Sequence, residues 1–242
     1  MPDVPQTPCL GLIGGVGVGA TVHYYGELAR AFAARGIALQ LVMAHADMRR
    51  VFEFFESRNA AGLAEYLAGL IARMKAAGAE IAAIPAVAPH VAIGELTAIS
   101  PLPVVNLLAA VADEVRSRGL RRVSIFGTRL AMESGLFGTL EWIEVVKPRP
   151  HEIDYIHNAY FDLASGGKGS EEHYKGLTNL AQELCRRESV EAILLAGTDL
   201  SLIFDETNID FPHLDCAGVH LRAIESALGA EPKAPAYGRR GG

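Results

Sequence analysis

The sequence is short of positive charge, of cysteine and of long apolar runs. Its 22 lysines and arginines are outnumbered by 28 aspartates and glutamates, leaving a net charge of −6. Neutralising phosphates takes a basic face, so this balance argues against a nucleic-acid partner. The three cysteines, Cys9, Cys185 and Cys216, lie far apart and form no CxxC pair. Such a scattered, odd set fits a reducing cytoplasm, with neither a disulfide framework nor a metal site. The most apolar window, 81–93, is broken by Pro85, Pro89 and His90, so no membrane span is expected. No basic stretch precedes an apolar one near the start, and no signal peptide is expected.

What the chain does have is hydrophobic residues, half of its 242 positions. That supports one large domain or two small ones. Short β-rich runs fall at 9–13, 39–44, 80–84, 104–106, 122–126, 142–146, 192–195 and 211–214. Amphipathic stretches lie between them at 21–34, 60–77, 107–118 and 173–187. In the second of these, Leu63, Leu67, Leu70, Ile71 and Met74 recur at helical spacing. Gly36, Gly78 and Gly119 follow helices, where a left-handed cap suits glycine. Alternating strands and helices predict an α/β fold, parallel sheets flanked by helices. The tail 231–242 is expected to be disordered.

The chain also resembles itself. "GLIGGVGVGATVHYY" aligns with "VSIFGTRLAMESGLF" at an offset of 112, pairing Gly15 with Gly127. "AEIAAIPAVAP" aligns with "VEAILLAGTDL" at an offset of 111, pairing Ala86 with Gly197. Both pairs mark a loop just after a strand. The expectation is two pseudo-symmetric Rossmann-like halves, 1–103 plus 208–242 and 104–207. A ligand would bind between them, beyond the carboxyl ends of the strands.

The opening glycines allow two readings. Gly15-Val16-Gly17 with Ala20 satisfies G-x-G-x-x-A between a strand and a helix, as in dinucleotide-binding turns, with Asp47 as the downstream acid. The same turn can instead let backbone N–H groups approach a substrate carboxylate with no nucleotide present.

"LGLIGGVGVGATVHYYGEL" resembles the opening of the aspartate/glutamate racemase family, a strand followed by G-G-M-G-P-x-A-T and an aromatic-bearing helix. "VSIFGTRLAMESGLF" is similar to the family's G-T-R/K-x-T-M-x-S-x-x-Y segment. "AILLAGTDLSLIF" is similar to its I-L-G-C-T-E-L segment, "PHLDCAGVHLRAI" to its closing D-x-x-x-x-H stretch, and "IPAVAPH" stands where the family has P-C-N-T-x-H. The resemblance implies a cofactor-independent homodimer acting on a small carboxylic acid or amino-acid-like substrate. It also implies two cysteines, one on each side of the substrate α-carbon, since racemisation needs an acid/base group on both faces. Here those positions are Ala86 and Gly197, followed by Val87-Ala88 and by Thr198. The two-thiol mechanism is therefore not expected.

Other residues become the candidates. For chemistry these are Asp199, which replaces the family's glutamate; His45, at the end of the second strand; His90, matching the family's histidine; and Cys216. For substrate binding they are Gly15, Val16, Gly17, Val87, Ala88, Thr128, Gly197, Thr198 and Lys168. Arg49 and Arg50 could hold a distal carboxylate, while Glu133 and His220 read as structural. An isomerase-like or decarboxylase-like enzyme is the first expectation. A non-catalytic small-molecule binder and a nucleotide-dependent enzyme are the alternatives.

Overall fold

The computed structural model describes residues 7–166, 168–205 and 207–230. The 231–242 tail, expected to be disordered, lies outside the described residues. Two parallel sheets form. In the first, β1 (Leu10–Gly14) lies between β2 (Leu41–His45) and β3 (Ile81–Ala83). In the second, β4 (Arg122–Gly127) lies between β5 (Glu144–Val146) and β6 (Ala192–Ala196), and β7 (His213–Asp215) pairs with the far edge of β6. Fully buried runs such as "LGLIG" and "AILLA" supply central strands covered on both faces, where alternation gives way to continuous hydrophobicity.

The helices are α1 (Val18–Ala34), α2 (Met48–Glu56), α3 (Ala60–Ala76), α4 (Ile93–Ile99) and α5 (Leu107–Ser117), then α6 (Arg129–Glu133), α7 (Pro150–Gly166), α8 (Glu171–Glu188) and α9 (Cys216–Ala227). Helix α3 buries the five residues whose spacing marked it. Turns of 3-10 helix occupy Ala88–Ala92 and Thr198–Leu202.

The sheets repeat one plan. The order β2-β1-β3 matches β5-β4-β6, as the internal alignment requires. A fourth strand position repeats as well. Val104 bridges Ala82 in the first sheet, and β7 pairs with β6 in the second. The expected strand at 104–106 is thus a single bridge, because the chain leaves the sheet there to cross between halves. Segment 208–215 was expected with the first half, yet it supplies β7 to the second sheet.

The helices after these fourth positions exchange sides. Helix α5 buries Leu107, Val111 and Val115 in the core of the second half. Helix α9 buries Ala217, Leu221 and Ile224, and its capping residue Leu228, with Leu10, Leu12 and Tyr24 of the first. Exchange covers an apolar face of each sheet with a helix from across the molecule. The return to the first half is therefore made by α9. Among the described residues no helix is long and apolar enough to cross a membrane, and no cluster of ligating side chains could hold a metal ion.

Candidate functional site

The registers set Gly14 beside His45 and Gly127 beside Ala196, so neighbouring strands end level and their loops emerge together. The opening loop turns at Gly15 and Gly17, with φ of 93° and 83°, values that favour glycine. A Cβ on Gly15 would lie 2.6 Å from Ala46 O and 2.8 Å from His45 Nε2. The loop is tied to itself: Gly15 N–H donates to Thr21 Oγ1 (3.2 Å), and Thr21 Oγ1–H donates to Gly17 O (2.8 Å). The imidazole of His45 stays exposed at this edge.

Asp199 fills the start of α1. Its side chain comes from the second half, yet Ala20 N–H donates to its Oδ1 at 2.9 Å. Cβ atoms added at Gly17 and Gly19 would fall 2.6 and 2.9 Å from the same carboxylate. The glycines therefore make room for the protein's own acid. A helix N-terminus satisfies anions through its free N–H groups and dipole, and a pyrophosphate would occupy that position in a dinucleotide turn. Here the protein's own carboxyl group already occupies that position. Asp47, the acid that reading needed, caps α2 by accepting from Arg49 N–H.

Asp199 is only 1% exposed, and burial raises its pKa, with the Ala20 N–H and Tyr160 O–H opposing that shift. Tyr160, on α7, donates to Asp199 Oδ2 at 3.4 Å. Burial, then the Asp199 charge, pushes its hydroxyl above the ordinary tyrosine range and keeps it protonated. The Tyr160 ring also lies over Gly197, where an added Cβ would overlap ring carbons. Thr198, likewise 1% exposed, donates its hydroxyl to Pro85 O at 3.2 Å. The first half-site is apolar: Val16, Ala86 and Val87 are buried, and Ala88 partly so.

Two candidates are buried and turned to partners within the protein. Both nitrogens of the buried His90 are engaged, Nδ1–H donating to Ala86 O (2.8 Å) and Nε2 accepting from Leu107 N–H (3.3 Å). Burial lowers its pKa to about 4. It satisfies the first amide of α5, which has no partner within its helix. Beside it, His220 accepts from Tyr24 O–H (3.2 Å) and donates to Val105 O (3.0 Å), and its pKa falls to about 3, chiefly through burial. Together the two imidazoles fasten the crossover between the halves. Cys216 is buried in the first turn of α9, where desolvation and the charge of Asp215 push its thiol well up. It packs in the hydrophobic core as a neutral thiol.

Thr128 caps α6 by accepting from Ala131 N–H (3.2 Å). Arg49 pairs with Asp47, Arg50 stacks on Tyr66 at 4.5 Å, and Glu133 pairs with Arg129. Lys168 is exposed in the connection from α7 to α8, beside Gly169, which packs on Leu202 and Ile203.

Sequence reasoning passed over α7 itself. His157, Tyr160 and Phe161 share a face by their spacing, the one signal available. His157 accepts from Arg129 N–H (3.3 Å), and burial holds its pKa down. The Phe161 ring meets Phe52 of α2 at 6.1 Å between centroids, joining the two halves.

Fold and loops together define a class: α/β proteins of two similar halves, each a parallel sheet flanked by helices. Within it, the chain belongs to the Asp/Glu/hydantoin racemase family, whose model matches residues 13–224. It is similar in structure to an aspartate racemase homologue from Pyrococcus horikoshii OT3, at 26% identity, with 90% of this chain and 98% of that one covered and a TM-score of 0.75. An aspartate racemase from Picrophilus torridus is 19% identical, over 93% and 96% of the two chains, with a TM-score of 0.72. An arylmalonate decarboxylase is 16% identical, over 96% and 98%, with a TM-score of 0.57. No curated protein matches the chain in sequence.

Proposed function

We propose that this protein is a cofactor-independent enzyme that acts on a small carboxylic or amino-acid-like molecule between its halves, without a pair of thiols. The observation carrying this reading is the site's residue content. Positions 86 and 197 offer a methyl group and a hydrogen, and the Tyr160 ring occupies the space over Gly197. Neither position can exchange a proton with an α-carbon. The ring packed over Gly197 carries a phenol held in its protonated form, suited to donate a hydrogen bond on one side only. One-sided donation fits an isomerase-like or decarboxylase-like outcome better than racemisation. A cytoplasmic setting fits the scattered free cysteines.

A specific observation favours a second reading, a binder without catalysis. Thr198 and Asp199 already have partners inside the protein, and so does Thr128. One experiment separates the two readings. Small carboxylic acids and amino acids are screened by thermal melt, since a ligand stabilises in proportion to its occupancy of the native state. Those that shift the melt are then followed for turnover in deuterated water. Expected are a specific melt shift by at least one acid, none by nicotinamide nucleotides, and no α-deuterium in aspartate or glutamate. Solvent exchange into either amino acid would show that the bases lie elsewhere. A melt shift with no turnover would select the binder.

The proposal includes a homodimer. Val18, Val22 and Tyr25 present an exposed apolar stripe on α1, a surface of the kind an interface covers. Sedimentation at micromolar concentration is expected to give twice the 25.8 kDa chain mass. A monomer there removes this part of the proposal.

A further inference from the structure

We infer that residues 197–202 form a latch that closes the cleft in the free protein, with the Asp199 carboxylate as its bolt. The segment follows β6 of the second half, yet the side chains of Thr198 and Asp199 find partners on two separate parts of the first. Asp199 takes the Ala20 N–H at the head of α1, and Thr198 holds the Pro85 carbonyl after β3. Leu202 packs where a Cβ on Gly19 would come 2.9 Å from its Cδ1. Tyr160 braces Asp199 from behind, and Phe161 meets Phe52 beside them.

The chemistry of the bolt suits a contact that opens. A carboxylate loses hydration when buried, which is why Asp199 is driven toward protonation. An N–H and an O–H replace part of that water in the closed state, and solvent itself replaces them in the open one. Both states therefore satisfy the group, and the gap between them is small compared with that of an apolar seal of equal area. Thr198 behaves alike: its hydroxyl and the Pro85 carbonyl can both return to water. The crossover at His90 and His220 differs, because both imidazoles pair with backbone groups at and around the chain that joins the halves. How often the site is reachable is set by the latch.

Hydrogen exchange read by mass spectrometry on the free protein tests this, with Asp199→Ala, Asp199→Asn and Thr198→Val beside the parent. A latch couples segments that are remote in sequence. In Asp199→Ala, exchange is expected to quicken together in 14–24, 84–91 and 196–204, by about ten- to a hundredfold, the equivalent of one hydrogen bond to a charged group. Asp199→Asn keeps an oxygen for Ala20 and loses the charge, so its effect is smaller and covers the same three segments. If Asp199→Ala does not fold, Asp199→Asn and Thr198→Val carry the test, since each weakens a single contact. Faster exchange confined to 17–21 would mean that Asp199 is only a helix cap, and the latch would be wrong; unchanged exchange in all variants would overturn it equally. The measurement needs no substrate, so the latch and the proposed function can fail independently.

Discussion

Lowering the pH from 7 to 5 is expected to remove roughly 4 kcal/mol of folding stability, contributed about equally by His90 and His220. Both imidazoles are neutral in the folded chain, with pKa values of about 4 and about 3, against about 6.5 when unfolded. Each folded pKa is depressed, so the unfolded chain binds more protons through this window. Stability is therefore fully present above the unfolded value and is lost as the pH falls toward the folded ones. The cause is geometric. Protonating His90 turns the acceptor of the Leu107 N–H into a donor, and protonating His220 does the same to the acceptor of the Tyr24 hydroxyl. Burial leaves each charge with little to offset the cost, and a charge on His90 opposes one on His220. Depressed carboxylates such as Asp47 and Glu191 add their own loss only at lower pH, while Asp199, raised by burial, acts in the opposite sense. Urea titrations at pH 7, 6 and 5 measure the slope. His220→Gln is expected to be less stable at pH 7 but to lose only about half as much on acidification. An equal loss in variant and parent would acquit the histidines.

Gly197→Ala is expected to destabilise the chain by about 1–3 kcal/mol, although one methyl group is a small addition. Gly197 is buried with a negative φ of −123°, so backbone strain is not the issue. The added carbon would overlap the Tyr160 ring, which Asp199 and the surrounding core hold in place. The effect should therefore depend on that ring. In a Tyr160→Ala background, itself destabilised by the cavity it leaves, the further cost of Gly197→Ala should fall to near zero. A double-mutant cycle in urea reads the difference as coupling, which for touching side chains reaches about 0.5–3 kcal/mol. Additive costs would mean that the ring yields freely and does not guard the position. The same clash predicts that Ala86→Cys with Gly197→Cys will not by itself yield a racemase, since the second thiol would have to displace the phenol. Aspartate exchange in deuterated water checks that outcome.

Much of the architecture was legible in the order of residues. Continuous apolar runs marked the central strands, 3.6-residue periodicity marked α3, and two internal alignments anticipated the matched strand orders β2-β1-β3 and β5-β4-β6. The family motifs were legible too, because they are local in sequence. Periodicity and motif spacing report on neighbours within a turn or a strand, and there they succeeded. Only the tertiary structure decided what the motif residues touch. Asp199 meets Ala20 across 179 positions, and Thr198 meets Pro85 across 113. No local pattern encodes such partners; they follow from how the two sheets face each other. His90 likewise reads as a possible base in isolation, and becomes a fastening for α5 once Leu107 stands beside its Nε2. Tyr160 was silent because its importance lies in the side chain that Gly197 lacks. The exchange of α5 and α9 between halves was hidden for a related reason. An amphipathic helix shows that it has a face to bury, but which core receives it depends on the path of the chain through the crossover at Val104, where the strand ends after a single bridge.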